Sequence, residues 1–362
     1  MPPPVAQPRS HYDPFGAGEF AVGVRTFEVH DPGRGRVFPC EIWYPAAGDE
    51  DGQRDGPADT RSELRDAPAA PGQHPVVLFS HFSGASRRTA TYLTTHLASH
   101  GYAVAAMDHS EVVAAELGPR ADEPAPDRSR RIDAVIASRV PDLRVLLACL
   151  LSGRAAELAG IGLDQDRIAA AGHSFGGWTA LAAPEHEPRI GAVVALAPGG
   201  SSRPLPGILP LQLAYGWERR VPVLILAADG DVATPLDGVQ EVFMRAPGPK
   251  RMYVLRRADH QHFGDDPEGR HEALRAMTLP GDAAWITAAM LPASELCPGE
   301  HGHAFTRGLA LAHLDAALRG SARAEEFLAR RAEAALADRG IDAVEYRPPA
   351  GDLADISVSQ RS

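Results

Sequence analysis

Basic side chains are the minority charge here: Lys and Arg number 36 against 47 Asp and Glu, a net charge of -11 in 362 residues. A chain with that balance presents no broad cationic face to a phosphate backbone or an anionic bilayer, so no nucleic-acid partner is expected. The one local basic cluster, Arg128, Arg130 and Arg131, adjoins acidic residues and reads as a solvated loop or helix start. Cysteine is scarce as well. Cys40, Cys149 and Cys297 are odd in number and far apart, which argues against a disulfide framework or a paired zinc or redox motif and for reduced thiols. Long apolar runs are missing: the most apolar stretch, Leu143 to Leu151, contains Arg144 and is too short to span a bilayer. The opening Met-Pro-Pro-Pro-Val-Ala-Gln-Pro has no basic segment leading into an apolar run, and its second residue is not the Gly that N-myristoylation needs. The expectation from these absences is a soluble, cytoplasmic protein without a stable membrane anchor. They leave the oligomeric state open.

What is present suits a stable globular unit. A chain of this length buries roughly 75% of the surface its unfolded form exposes, so neither disulfide nor metal is required for stability. One domain over residues 20–340, followed by a tail at 341–362, is the simplest division. Val22–Val29 and Val37–Tyr44 are rich in β-formers and flank the turn cluster Asp31-Pro32-Gly33-Arg34-Gly35, which predicts an N-terminal antiparallel hairpin. Residues 46–74 hold almost no large apolar side chain and read as an exposed loop.

Beyond that loop, apolar runs alternate with helical patterns. Val76–Phe79 is followed by a helix over Arg88–His100, stopped by Gly101, and then by the strand Tyr102–Met107. Leu143, Leu146, Leu147 and Leu150 fall on one face of a longer helix. Further strands are expected at Ile168–Ala171, Ile190–Leu196, Val221–Ala227 and Arg251–Leu255, most of them apolar on both faces. Such runs belong to parallel strands covered by helices on both sides, so the fold class is α/β with a doubly wound, mostly parallel sheet. Residues 304–318 and 322–337 read as C-terminal helices.

The chemistry is concentrated at strand ends. Ile168–Ala171 runs into Gly172-His173-Ser174-Phe175-Gly176-Gly177, a G-x-S-x-G turn followed by the helical Trp178-Thr179-Ala180-Leu181-Ala182. This is the setting of a nucleophile elbow, where glycines keep side chains out of a crowded strand-to-helix turn. The alternative is a Gly-rich turn whose serine caps the helix. Partners in the right order favour the elbow. A serine hydroxyl needs a base to take its proton, and the base needs a carboxylate to hold its tautomer. Val221–Ala227 ends in Asp229-Gly230-Asp231, and the acid is assigned to Asp231, with Asp229 as the reserve. The next strand ends in Asp259-His260-Gln261-His262-Phe263, and the base is assigned to His260, with His262 as the alternative. Ser174, Asp231, His260 is the chain order of the α/β-hydrolase fold. An oxyanion hole then needs two backbone N–H groups, from Phe175 after the nucleophile and from the loop Ser80-His81-Phe82-Ser83-Gly84, where Ser83 is the expected donor.

These residues resemble the platelet-activating factor acetylhydrolases and their bacterial relatives labelled dienelactone-hydrolase-like. The matching text is Phe79-Ser80-His81 with Gly84-Ala85, Leu97-Ala98-Ser99-His100-Gly101 leading into Val104-Ala105-Ala106, the Gly172–Gly177 turn, and His260-Gln261 followed by Phe263. The resemblance runs from about Val22 to near Arg319. It implies a cofactor-independent serine esterase that removes short or oxidised acyl chains, phospholipid-like acetyl esters included, hence a role in lipid degradation. It also implies Ser174, Asp231, His260, Ser83 and Phe175 in the roles given above. Phe82 stands where the family usually has Gly, which should crowd the acyl side of the pocket, and His271–His303 is longer than in the animal enzymes.

Two weaker signals have plain alternatives. His301-Gly302-His303 with His262 and Cys297 does not follow a recognised zinc spacing and reads as histidines that support other site residues or face solvent, so no metal is expected. Gly199–Trp217 is proline-rich and apolar, and could line the pocket or form a helix packed on the core. Ester hydrolysis through an acyl-enzyme leads, with a small-molecule ester as the partner. Acyl transfer uses the same groups, and a non-catalytic small-molecule or lipid-binding protein of the same fold would have no need of them.

Overall fold

The computed structural model describes residues 12–48, 63–117, 120, 122–217, 219–279 and 281–348. The hairpin forms as the sequence predicts, with longer arms: β1 (Ala21–Asp31) and β2 (Arg36–Ala46) pair antiparallel along their whole length. Gly35, at φ +62, closes the turn in a backbone conformation that costs glycine little. Of the expected loop at 46–74, residues 49–62 lie outside the described residues. The remainder is less free than its composition suggested. Leu64–Arg65 form a short strand, β3, beside β1, and Ala47 N–H and Ala70 N–H donate to Pro68 and Pro45 carbonyls. An edge strand offers unpaired main-chain groups, and a polar segment can pair with them without burying side chains.

The alternation that follows is β4 (His74–Ser80), α1 (Thr91–Ser99), β5 (Ala103–Met107), α2 (Ser110–Val113), α3 (Ala125–Ser152), β6 (Leu163–His173), α4 (Phe175–His186), β7 (Ile190–Leu196), β8 (Val223–Ala228), α5 (Leu236–Arg245) and β9 (Lys250–Leu255). Beyond β9 come α6 (Pro267–Arg275), α7 (Trp285–Ala289), α8 (Gly299–Arg319), α9 (Ala322–Arg330), α10 (Ala332–Ala337) and β10 (Ala343–Glu345). Among the described residues these strands make one sheet in the order β10-β9-β8-β7-β6-β4-β5-β2-β1-β3. The six strands β4 to β9 are mutually parallel, whereas β2 runs antiparallel to β5 and to β1, β10 runs antiparallel to β9, and the short β3 pairs parallel with β1. β10 lies in the segment expected to be a tail from residue 341. Its pairing with β9 instead extends the sheet edge, where main-chain hydrogen bonds can hold three half-buried residues without a strong side-chain signal.

Each parallel strand is buried on both faces. Val76 and Leu78 of β4 belong to the core under α3, α4 and α5, while Val77 and Phe79 point into the other core under α1, α8 and α9. The leucines predicted on one face of α3 (Leu143, Leu146, Leu147, Leu150) are all buried there, each contributing about 1.5–3 kcal/mol of burial. Residues 199–217 form no helix. Pro204, Pro206 and Pro210 interrupt any run of main-chain donors, and the segment is pinned by Leu211 and Leu213 in the core and by Trp178 Nε1–H on the Gln212 carbonyl at 2.7 Å. No helix among the described residues is long and apolar enough to cross a membrane.

The chain leaves β4 toward β5 on one side and returns to β6 on the other, so the strand order reverses between β4 and β6. Loops at the carboxyl ends of such strands open into a crevice, the usual place for a ligand in an open α/β sheet.

Candidate active site

Ser174 sits in that crevice, on the sharp turn from β6 into α4. Its φ of 58° and ψ of −114° lie outside the regions L-residues favour, a strain of about 1–3 kcal/mol that the surroundings must hold. They hold it closely. Ser174 N–H donates to the Leu196 carbonyl at 2.8 Å, and its own carbonyl accepts from Trp178 N–H and Gly199 N–H. The glycines of the turn are sterically required: a Cβ on Gly176 would stand 1.9 Å from the Ser80 carbonyl oxygen, and one on Gly172 2.3 Å from that of Gly176. Among the described residues the half-buried Ser174 hydroxyl has no hydrogen-bond partner, and such contacts commonly tighten only with substrate in place.

Asp231 and His260 come together beside it from the ends of β8 and β9. Asp231 Oδ1 accepts the N–H groups of Ala233 and Thr234 at 2.8 and 2.9 Å, and Oδ2 accepts the Thr234 hydroxyl at 2.8 Å and His260 Nδ1–H at 2.6 Å. With Nδ1 carrying the proton, His260 Nε2 is left with a lone pair. The ring packs against His173, the residue before Ser174, with centroids 4.5 Å apart. Burial works against the charged imidazole, but the charge and hydrogen bond of Asp231 outweigh it and hold the His260 pKa above the usual 6.5. His173 is pushed the other way, by burial and then by the neighbouring His260, and stays neutral.

The two reserve assignments are placed elsewhere. Asp229 is exposed and faces Arg256 at 3.6 Å. His262 puts Nδ1 2.9 Å from Asp259 Oδ1 and Nε2 3.0 Å from the Cys297 carbonyl, and although burial opposes its charge these partners push its pKa up to about 10. Asp259 also accepts Gln261 N–H at 2.9 Å and binds His271 at 2.6 Å, so one buried carboxylate shapes the turn that presents His260. His303 stacks on Tyr92 at 3.9 Å and reaches the Gly264 carbonyl. Among the described residues no group of three His, Cys, Asp or Glu side chains is placed to hold a metal ion.

The loop between β4 and α1 carries exposed Ser83, and the Ser80 and His81 carbonyls at its start lie against Gly176 of α4, whose first residue, Phe175, has an N–H with no helical partner one turn back. Phe82 turns toward the histidines instead of standing alone: its ring meets His173 edge-on at 5.4 Å, with Arg270 over it at 4.5 Å. Beneath the loop lies a second Ser–His–Asp set that sequence reading missed. Ser80 Oγ is 2.9 Å from His109 Nε2, and His109 Nδ1 is 3.2 Å from Asp142. All three residues are fully buried, and Ser80 Oγ accepts a hydrogen bond from Arg139 at 3.0 Å, so this hydroxyl is sealed from any substrate. Burial, with Arg139 nearby, lowers the His109 pKa and keeps the ring neutral. Arg139 itself is fully buried, paired with Glu111. Nothing in the sequence marked Arg139 or Glu111, because a charged residue on a helix reads as solvent-facing until the fold covers it.

A narrow indentation of about 40 Å³ borders the loop that carries Asp231, lined by Pro198, Gly199, Leu205, Ile208, Thr234 and Val239 among others. It meets the crevice that holds Ser174 where Gly199 touches the Ser174 carbonyl and Thr234 touches Asp231. The segment at 199–217 thus lines a cavity as well as plugging the core. Trp285 Nε1–H donates to the Pro206 carbonyl at 3.0 Å and clasps the α6–α8 connection to that segment.

Comparison with known proteins agrees with this architecture. A ferulic acid esterase from Streptomyces cinnamoneus matches 84% of this chain and 92% of its own at 25% identity, with a TM-score of 0.61. The chain has the α/β-hydrolase fold. Residues 51–132, from before β4 into α3, match the family model of platelet-activating factor acetylhydrolase, isoform II, in line with the resemblance read from the motifs. No curated protein matches the sequence. Family model and structural neighbour both indicate an esterase-type hydrolase. The family match covers the loop after β4 but stops short of Ser174, Asp231 and His260.

Proposed function

We propose that this α/β-hydrolase cleaves carboxylic esters through an acyl-enzyme on Ser174, using His260 as the base, Asp231 as its orienting carboxylate, and the N–H groups of Ser83 and Phe175 as oxyanion donors. The observation that carries the reading is a serine held at φ 58° on the β6–α4 turn, whose neighbour His173 packs 4.5 Å from a histidine whose Nδ1 is bound to Asp231 at 2.6 Å. His260 Nε2 takes the Ser174 proton as Oγ attacks the acyl carbon. The negative charge that develops on the carbonyl oxygen is met by the two N–H groups, and His260 returns the proton to the leaving alkoxide. Water then repeats the sequence in the second half. The small indentation beside the acid loop favours short acyl groups, phospholipid-like acetyl esters among them. The ferulic acid esterase neighbour adds a hydroxycinnamoyl ester to the substrates worth testing.

The test is a ladder of p-nitrophenyl esters from acetyl to long chains, with a feruloyl ester alongside, and mass analysis after a fluorophosphonate probe. Turnover greatest at short acyl groups with the label on Ser174 is expected. A protein that takes no label and turns over nothing on the ladder would instead be a binding module. Added alcohols that divert product from free acid to new ester would move the assignment to acyl transfer.

The pH profile follows from His260. A base must be neutral to accept a proton, and because Asp231 raises the His260 pKa the protonated form persists to higher pH. The rate constant kcat/KM should therefore rise with pH through a midpoint above 6.5. A midpoint at or below 6.5 would contradict the pairing.

A further inference from the structure

An oxyanion hole assembled from two chain segments is only as good as the fixed spacing between them, and here the segments follow two parallel strands, Ser83 on the loop after β4 and Phe175 at the start of α4, after β6. Arg139, on the third element α3, touches both. Its Nη1–H groups donate to the His81 carbonyl at 2.7 Å and to Ser80 Oγ at 3.0 Å, and Nη2–H reaches the Phe82 carbonyl at 3.4 Å. The guanidinium lies over the Phe175 ring, its central carbon 4.0 Å from the centroid. His81 and Phe82 are the two residues immediately before Ser83.

The Phe82 carbonyl and the Ser83 N–H belong to one planar peptide unit, in which they point in opposite directions. Fixing the carbonyl therefore aims the N–H. His81 Nδ1–H grips the same oxygen at 2.6 Å, while His81 Nε2 accepts His109 N–H at 3.1 Å. A carbonyl that accepts hydrogen bonds, one from a cation, also polarises its peptide and strengthens the N–H as a donor. Glu111 and the sealed Ser80–His109–Asp142 set lock the guanidinium from behind: Arg139 Nε–H donates to Glu111 at 3.2 Å, and Asp142 is itself held by Ser110 N–H at 2.8 Å and Arg34 at 2.6 Å.

Building on the acyl-enzyme reading above, we propose that Arg139 is a positioning residue for the reaction: a buried guanidinium that ties the Phe82–Ser83 peptide to Phe175 and so sets the oxyanion hole. It touches no substrate. The competing role for a buried ion pair is stability alone, and the two differ in what they change. A hole slightly misaligned loses binding of the tetrahedral oxyanion and leaves ground-state binding almost intact.

The experiment compares wild type, Arg139→Lys, and the double variant Arg139→Met with Glu111→Gln, which removes both charges together so that no uncompensated carboxylate is buried. Melting temperature, kcat and KM on p-nitrophenyl acetate, and affinity for an aryl trifluoromethyl ketone are measured for each. In variants that fold, kcat should fall about 10- to 100-fold, less than the ~10²–10³ loss of an oxyanion donor itself, with KM within about 3-fold and ketone affinity falling in step with kcat. Arg139→Lys, keeping charge without the planar fork, should fall between. Should the Arg139 variants not fold, Phe175→Leu keeps the N–H and deletes the ring beneath the guanidinium, and the same linked loss is expected. A folded variant with kcat and ketone affinity within two-fold of wild type overturns the proposal, as does a rise in KM alone. Ser174→Ala run in parallel separates the levels: turnover surviving there would sink the acyl-enzyme reading whatever Arg139 does.

Discussion

Ser174→Ala is expected to lower kcat on p-nitrophenyl acetate by roughly 10⁵–10⁶-fold, to the level that an oxyanion hole and binding alone can supply. The size follows from the chemistry: without Oγ no acyl-enzyme forms, and water must attack without the proton path that runs from the serine to His260. Stability should barely move. The hydroxyl is half-buried and has no hydrogen-bond partner among the described residues, and alanine tolerates φ 58° no worse than serine, so the change should stay under about 1 kcal/mol. Loss of turnover with an unchanged melting temperature and loss of fluorophosphonate labelling would confirm the nucleophile. Retention of a tenth of the activity would rule it out.

Asp231→Asn is the second large effect, a fall of about 10⁴-fold in kcat with the fold intact. The direction can be argued atom by atom. Oδ1 accepts two backbone N–H groups, from Ala233 and Thr234, so the amide oxygen of an asparagine must take that place. Its NH₂ group then falls where Oδ2 stood, facing His260 Nδ1 at what is now 2.6 Å. A donor there forces the proton onto Nε2, and the nitrogen that should take the Ser174 proton has no lone pair to do so. The same change removes the charge that raises the His260 pKa, so whatever activity remains should titrate at lower pH than wild type. A variant that loses less than ten-fold, or whose pH midpoint stays put, would show that another carboxylate orients the histidine. Asp229, turned toward Arg256, is not placed to do so.

Much of the architecture was legible because the parallel strands are apolar on both faces. Val76–Phe79 and Ile190–Leu196 admit few readings once helical stretches separate them, and their predicted limits fall within three residues of β4 and on β7. What was not legible is instructive. β3 and β10 are held by main-chain pairing at sheet edges, which leaves no trace in side-chain pattern. The 199–217 segment was ambiguous because the same leucines that suit a helix face also suit a prolyl loop pinned to a core. His260 and His262 are two residues apart on one short turn, and only their partners distinguish them: one faces Asp231, the other Asp259.

The sequence by itself determined the elements and the order of the chemistry: strand, Gly-rich turn and helix at Ser174, then carboxylates and histidines at the ends of the next strands, because these depend on local backbone demands and on hydrophobic period. Tertiary structure alone decided which carboxylate meets which histidine, and that a helix arginine, Arg139, lies under the loop after β4. Such pairings join residues tens of positions apart, and a charged side chain has the same local signature whether the fold leaves it in water or closes over it. The difference lies in what the sheet and its loops stack on top.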